Sequence, residues 1–285
     1  MKSSPRIIEV KCSRALSRSN LPEMDYSLNP YHGCLHGCIY CFAMDFTPEY
    51  DAVEEWGSKI YVRTNIAEKL RHEISGLKRG TVGISTITDP YQSIEGRYRL
   101  TRRCLSILLE NGFYVTLQTK SPLVIRDIDV IDSHRENVDV GMTLTTLSSD
   151  LARILEPGSP SPASRISSIE RLSHAGVRTW IYLGPIIKGV NDSMDEIEEI
   201  VGVCERTGSR LIFDRYASYR HSDIMISSAA ESSGLRADLK ATEEWWMDLS
   251  RNIQRIGKDH GVVTVTQDED WKLEKKLRIR TLEKF

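Results

Sequence analysis

"NPYHGCLHGCIYCFAM", Asn29 to Met44, carries three of the chain's six cysteines: Cys34, Cys38 and Cys41, spaced C-x3-C-x2-C. Three thiols cannot all pair with one another. A closed structural zinc site takes four ligands, and no fourth cysteine lies nearby. The residues leave three readings open. One is an iron–sulfur cluster held by thiolates, with one iron lacking a protein ligand. One is a zinc site completed by His32 or His36. The last is a chance grouping.

The rest of the chain bounds these readings. It has 285 residues, 40% of them hydrophobic, enough for a substantial core. A formal charge of −2 offers no global polycation for nucleic acid. The last fifteen residues, "WKLEKKLRIRTLEKF", are locally basic, with six Lys/Arg against two Glu; a solvated terminal segment is the simpler reading. The N-terminus "MKSSPRIIEVKCSRALSRSN" has no long apolar stretch of the kind that marks a secretory leader. No run approaches the roughly 20 apolar residues that span a bilayer. The expectation is a soluble cytoplasmic protein, without membrane contact, whose thiols stay reduced. Six cysteines therefore do not imply disulfides, and a clustered set points to metal or redox chemistry.

Working outward from the cysteines, short runs rich in β-branched and aromatic residues recur. They are "DYSLNPY" (Asp25–Tyr31), "TVGIST" (Thr81–Thr86), "FYVTLQT" (Phe113–Thr119), "VDVGMTLT" (Val138–Thr145), "VRTWIYLG" (Val177–Gly184) and "RLIFD" (Arg210–Asp214). Helical patterns lie between them. "TNIAEKLRHEISG" starts at a Thr64 or Asn65 cap. "LTRRCLSILLENG" puts Leu100, Cys104, Leu105 and Leu108 on one face. "SPLVIRDIDVI" opens with Ser121 as cap and Pro122 in the first turn. "SPASRISSIERLSHAG" ends at Gly176, and "NDSMDEIEEIVGVCERTG" offers a capping box of Ser193 with Glu196. A helix in "LKATEEWWMDLSRNIQRIG" and a late strand in "GVVTVTQ" follow. Six strand–helix units predict an α/β fold with a parallel sheet and helices outside: a barrel or partial barrel, or else a doubly wound open sheet.

In βα barrels chemistry gathers at the carboxyl ends of the strands. The first strand ends in the cysteine loop, and the second in "TITDPYQSIEG" with Asp89 and Glu95. The others end at Thr119-Lys120, at Thr143–Thr146, at "GPIIKGVND", and at Asp214-Arg215-Tyr216. All six would face one cavity.

These residues resemble a known family. C-x3-C-x2-C after a first strand, with Tyr40 before the last cysteine, resembles the radical S-adenosylmethionine (radical SAM) signature. Together with "TDPYQSIE", "EPGSPSPASRISSIERLSHAGV" and "GPIIKGVND", it is similar to the subfamily related to spore photoproduct lyase, over roughly residues 12–220. The resemblance implies a partial (β/α)6 barrel at about 25–220, an N-terminal extension at 1–24 and a C-terminal extension at 221–285. It implies a [4Fe-4S] cluster on Cys34, Cys38 and Cys41, with SAM on the open iron. Reductive cleavage would yield a 5′-deoxyadenosyl radical that abstracts a substrate hydrogen. The electron would come from a low-potential donor such as flavodoxin or ferredoxin. Tyr40 and Phe42 would line the adenine side. Thr88 and Asp89 would meet the SAM amine, Lys120 its carboxylate, with Thr143 as Lys120's partner. Gly184, Pro185 and Ile186 would contact adenine. Two positions depart from the lyase: Thr86 stands where it has a hydrogen-returning cysteine, and Phe42 where it has a tyrosine. Thymine-dimer repair by that route is therefore disfavoured, and a related reaction on another substrate is expected. Repair or modification of a nucleic-acid lesion is the second reading, and a non-catalytic metal-binding interaction protein the third.

Other residues divide between site and scaffold. Tyr91 and Glu95 are substrate-side groups or loop anchors. Arg165 reaches SAM or a substrate carboxylate, or sits on the surface. Arg215 and Tyr216 are candidate substrate contacts. Cys104 and Cys204 read as core, Cys12 has no assigned place, and Trp245 and Trp246 read as packing.

Overall fold

The computed structural model describes residues 4–267 and 269. Eleven strands appear among them: β1 (Arg6–Val10), β2 (Ser17–Arg18), β3 (Tyr26–Leu28), β4 (Tyr31–His32), β5 (Lys59–Arg63), β6 (Thr81–Ile84), β7 (Tyr114–Thr119), β8 (Val138–Thr143), β9 (Arg178–Ile186), β10 (Arg210–Arg215) and β11 (Thr264–Thr266). The helices are α1 (Tyr50–Glu54), α2 (Ile66–Glu73), α3 (Glu95–Tyr98), α4 (Leu100–Glu110), α5 (Ile128–Ser133), α6 (Ser149–Leu155), α7 (Pro162–His174), α8 (Met194–Thr207), α9 (Arg220–Ser233) and α10 (Glu243–Asp259).

The main sheet runs β11-β10-β9-β8-β7-β6-β3-β2. Its seven strands from β3 to β11 are mutually parallel, and β2 caps one edge antiparallel. Neighbouring strands are mostly consecutive in sequence order and among the described residues the sheet does not close, so this is a partial barrel rather than a doubly wound sheet. Sequential parallel strands need crossovers, and the amphipathic helices supply them on one side. Leu100, Cys104, Leu105 and Leu108 of α4 and Ile197, Val201 and Cys204 of α8 join the outer core with Val115, Leu117, Val140, Ile181 and Leu211 of the strands.

Alternation along the strands, with the pairing register, puts Thr116 and Gln118, Asp139, Gly141 and Thr143, Trp180 and Tyr182, and Ile212 on the opposite, inner face. Its floor is closed by Asp139, whose carboxylate accepts from Tyr114 Oη (2.9 Å), Thr116 Oγ1 (2.6 Å) and Trp180 Nε1 (2.9 Å).

Several elements differ from the sequence reading. The first strand breaks: β3 joins the main sheet, while β4 pairs antiparallel with β5 in a separate sheet of order β1-β5-β4. Pro30 stands between them and has no N–H to continue a ladder. The N-terminal strand β1 is thus built into the wall behind the cysteine loop. Ser193 makes no side-chain cap on α8; Glu196 instead accepts from Thr146 Oγ1 and Leu147 N, tying α8 to the end of β8. Asn65 precedes α2, but its side chain holds the backbone N and O of Cys12, which places that cysteine. Ser121 does accept from Leu123 N, although the turn it opens is 3-10 over Pro122–Asp127 before α5. Helix α6 and strands β1 and β5 carried no clear signal. The basic tail lies outside the described residues.

Candidate functional site

The cysteine loop leaves β4 and turns twice at glycines with positive φ, Gly33 (79°) and Gly37 (58°). A Cβ on Gly37 would stand 3.0 Å from Gly57 Cα, so the loop presses backbone to backbone on the turn before β5. Ile39 N donates to Leu155 O (2.9 Å) and Trp56 Nε1 to Cys38 O (3.3 Å). The loop is therefore held through its backbone, and the thiols are left over. All three are free. Cys34 and Cys38 are buried and Cys41 is half-buried. Burial pushes all three thiols up, Cys41 to about 12. Cys34 feels the charges of Asp89, Cys38 and Cys41, and Cys41 that of Cys38, so the three share one neighbourhood.

Among the described residues no three His, Cys, Asp or Glu side chains converge on one point as a mononuclear zinc requires. His32 pairs with Glu49 (2.7 Å), and buried His36 faces Asp89 (3.3 Å). Three neighbouring thiols, with His32 and His36 both engaged by carboxylates, match three thiolate ligands on three irons. The donor set fits a [4Fe-4S] cluster with one open iron.

Lys120 follows β7 at the mouth. Its Nζ stands over the Tyr40 ring, 5.6 Å from the centroid. Burial opposes its charge, but Cys38, Glu156 and Asp89 outweigh this and hold it protonated. Among the described residues no acceptor lies within hydrogen-bond distance of that ammonium, which leaves its donors for an anion. Thr143 is buried, and its hydroxyl accepts from Gln118 Nε2 (3.1 Å). Gly184, Pro185 and Ile186 end β9, and Asn191 braces them by donating to Pro185 O (3.1 Å) and Thr145 O (2.9 Å).

Other candidates turn out to have different jobs. Each Asp89 oxygen already has two partners: Tyr91 N (2.8 Å) and Thr119 Oγ1 (2.7 Å) on one, Lys120 N (2.8 Å) and His36 on the other. Burial works to raise this carboxyl, yet the His36 and hydrogen-bond contributions hold it near about 2. Asp89 braces two loops, with little left for an ammonium. Thr88 donates to Gly33 O (2.6 Å), again loop to loop. Phe42 opens a 3-10 turn, Phe42–Asp45, on the exposed side of the cysteine loop. It is 44% exposed and packs with Phe46 and Tyr219 (5.9 and 6.2 Å). Tyr91 and Glu95 are fully buried, not substrate-side. Glu95 pairs with Arg126 (2.7 Å) and takes Tyr31 Oη and Thr101 N, anchoring α3 and α4. Arg215 pairs with Glu243 (2.6 Å) over Trp246, and Tyr216 Oη bonds Ser222 and Asp223 (both 2.7 Å). These two line a pocket of 330 Å3 with Lys188, Asp238 and Trp245, beyond the ends of β9 and β10.

Arg165 is neither on the surface nor free. It is 1% exposed and ion-paired with Glu156, with Nε donating to Pro160 O (3.0 Å) and Nη1 to Thr143 O (3.2 Å). The Glu156 carboxylate also accepts from Tyr40 Oη and Thr145 Oγ1 (2.8 Å). Sequence reasoning missed Glu156, although "EPGSPSPASR" was in view. The signal was a glutamate before a turn, nine residues ahead of an arginine, and neither type is buried without a partner.

Comparison with known proteins extends this picture. The family model described as "Radical SAM superfamily" matches residues 28–203. Uncharacterized protein Rv2578c of Mycobacterium tuberculosis is 33% identical over 215 residues, 70% of this chain and 62% of that protein. The chain thus spans less than two thirds of that relative's length. Uncharacterized protein MJ0683 of Methanocaldococcus jannaschii is 29% identical over 202 residues, 71% of this chain and 74% of that protein. Spore photoproduct lyase complexed with dinucleoside spore photoproduct shares the fold, with TM-score 0.69 at 14% identity, covering 92% of this chain and 81% of that one. Streptococcus suis SuiB bound to S-adenosylmethionine gives 0.56 at 14%, covering 93% and 51%. Cysteine loop, open parallel sheet and family match agree: the chain belongs to the radical SAM superfamily, whose cofactors are a [4Fe-4S] cluster and S-adenosylmethionine.

Proposed function

We propose that the chain is an enzyme that binds SAM at a cluster on Cys34, Cys38 and Cys41 and starts hydrogen-atom abstraction on a substrate in the concave inner face. The observation that carries this is the loop of three interacting thiols, two buried and one half-buried, beside an ammonium, Lys120, that has no acceptor among the described residues. When bound, the cluster and SAM supply one-electron cleavage of the sulfonium C–S bond and a carbon radical for C–H abstraction. The chain's residues hold and orient. Lys120 meets the methionyl carboxylate as a charge-assisted donor. Thr143 and Gln118 line the wall below it, Tyr40 lies under Lys120, and Gly184 to Ile186 flank the adenine. The buried loops keep water from the reacting atoms.

Anaerobic reconstitution with iron and sulfide tests the reading. Dithionite-reduced protein should show an EPR spectrum that changes on adding SAM, and should release methionine and 5′-deoxyadenosine. A reducible cluster with neither response would sink the proposal. Lys120→Met should keep its iron but weaken SAM binding. Losing a hydrogen bond between charged groups costs about 1.5–3 kcal/mol, or roughly 10- to 150-fold. SAM titration of the EPR change checks this.

The substrate reading rests on less. Spore photoproduct lyase binds a dinucleoside lesion in the shared fold, which favours a nucleic-acid substrate as the second reading. Thr86 and Phe42 separate this chain from the lyase's own chemistry. Binding of single-stranded DNA or tRNA that weakens with salt would support the reading, and no binding at low salt would remove it. The electron would come from a low-potential carrier of the flavodoxin or ferredoxin kind.

A further inference from the structure

A radical left on a substrate carbon needs a hydrogen atom to end the reaction, and the thiol expected to give one is absent. Thr86 holds that position, and an aliphatic O–H bond is too strong to give hydrogen to carbon. The remaining thiols are elsewhere. Cys104 and Cys204 lie in the outer core under the helices, and Cys12 lies against Asn65. A phenol is the next protein group whose X–H bond is weaker than an aliphatic C–H.

The described tyrosines can be sorted by what their hydroxyls hold and where they sit. Tyr40 is buried with Oη on Glu156 and Thr145. Tyr31 is buried on Glu95 and Tyr114 sits on Asp139 in the floor. Tyr216 is fixed between Ser222 and Asp223, and Tyr91 is fully buried behind the sheet's second loop beside Asp127, Glu95 and Arg126, away from the inner face. Tyr182 is different. It lies on the inner face of β9, opposite Thr143 in register, with Ile212 on the other side. It is half-buried, and among the described residues its Oη makes one long bond, 3.4 Å to Gln267 Oε1. Its ring stands over Gly184: a Cβ there would come within 2.7 Å of Oη. The missing side chain lets the phenol lie directly beneath the strand end assigned to adenine. Lys120 and Gly184 are each two residues beyond Gln118 and Tyr182 on the same face. Tyr182 is therefore one layer, roughly 7 Å, below the SAM contacts. Burial, and then the charge of Asp214, push its pKa up, so the phenol keeps its proton at neutral pH.

We propose that Tyr182 is the catalytic residue that returns a hydrogen atom to the carbon radical formed in the inner face; this rests on the radical reading above. The Tyr182 O–H bond breaks homolytically and a C–H bond forms. Proton and electron leave together, and a neutral phenoxyl radical remains on Tyr182. One electron and one proton, the electron from the same class of low-potential carrier that reduces the cluster, restore the phenol.

SAM alone can serve as the probe. Reconstituted enzyme, reduced with dithionite in D2O without substrate, should place one deuterium in the methyl group of the 5′-deoxyadenosine it releases. The phenol exchanges with solvent, whereas protein C–H bonds do not. Freeze-quenched samples should show a tyrosyl EPR signal that narrows when the protein carries β-deuterated tyrosine. Tyr182→Phe should lower the deuterium per 5′-deoxyadenosine by about ten-fold or more and abolish the tyrosyl signal. The SAM-dependent change of the cluster spectrum reports that the variant is folded and loaded. Unlabelled 5′-deoxyadenosine from the wild type, or full labelling in Tyr182→Phe, overturns the assignment alone. No 5′-deoxyadenosine from a reducible wild-type cluster overturns the radical reading and this assignment with it.

Discussion

Cys38→Ala is expected to take up almost no iron on anaerobic reconstitution and to show no SAM-dependent EPR change, while remaining folded. The reason lies in how the loop is held. Cys38 is fixed through its carbonyl, which accepts from Trp56 Nε1, and through Ile39 N on Leu155 O. Among the described residues its Sγ makes only a loose contact with Ser159 Oγ at 3.9 Å. Removing the thiol leaves those backbone bonds intact. A cluster with one open iron has no spare protein ligand, so loss of one thiolate leaves two. Losing even an outer partner of a metal site costs roughly 10–100-fold in affinity, and a direct ligand should cost more. Cys104→Ala is the matched control. That thiol is equally buried but packs in the outer core, so the variant should lose some stability and keep wild-type iron. Iron and sulfide per chain, with a thermal melt for each variant, check both outcomes. Equal iron in Cys38→Ala and wild type would show that the loop is not the cluster site.

How much of this was legible in the sequence depends on whether the decisive interaction is local. Cysteine spacing is local, and so are helix faces such as Leu100, Cys104, Leu105 and Leu108. The cap at Ser121 is local too, and it holds. Partner choice is not local. Ser193 and Glu196 have capping-box spacing, yet the buried hydroxyl and amide at the end of β8 offer Glu196 better-desolvated donors, and it goes there. Asp89 next to a cofactor motif suggested an ammonium partner. Four donors from three segments reach it first. Tyr91 and Glu95 sit in a loop at a strand end, but Arg126, from beyond the next strand, draws Glu95 into the interior. Nothing within ten residues of Glu95 announces that arginine. Strands β1 and β5 were missed for the same reason: each is short, and its stability comes from pairing with the other across some fifty residues. Tyr182 was inside a recognised strand, but which face it took followed only from the register with Thr143 and Ile212.

Glu156→Ala is expected to cost more stability than any surface change, about 3–5 kcal/mol, because it leaves Arg165 charged and buried with no counter-ion. Three segments depend on that carboxylate: Tyr40 from the cysteine loop, Thr145 from the end of β8 and Arg165 from α7. Tyr40 and Thr145 still have each other (3.1 Å), so the uncompensated guanidinium is the main loss. Glu156→Gln separates charge from shape. It keeps an acceptor for Tyr40 and removes the negative charge, so it should recover part of the loss. The double variant Glu156→Leu with Arg165→Met removes both charges and should be closer to wild type than Glu156→Ala, since a buried pair replaced as a whole is often near neutral. The pH dependence follows from the direction of the shift. Burial works to raise the Glu156 pKa, but Arg165 and Lys120 overcome it and the folded value lies below the ordinary 4.5. The unfolded chain therefore takes up the proton first as pH falls. The pair's contribution is complete above the unfolded value and is lost as pH drops through the folded one. In urea melts of the cluster-free chain, the gap between wild type and Glu156→Gln should be constant near neutrality and shrink below pH 4.5. A gap that grew on acidification would mean that the carboxyl is protonated in the fold. Tyr40 would then be held by a neutral acid, and the cysteine loop would lack the buried charge that balances Arg165 and Lys120 beside Cys38.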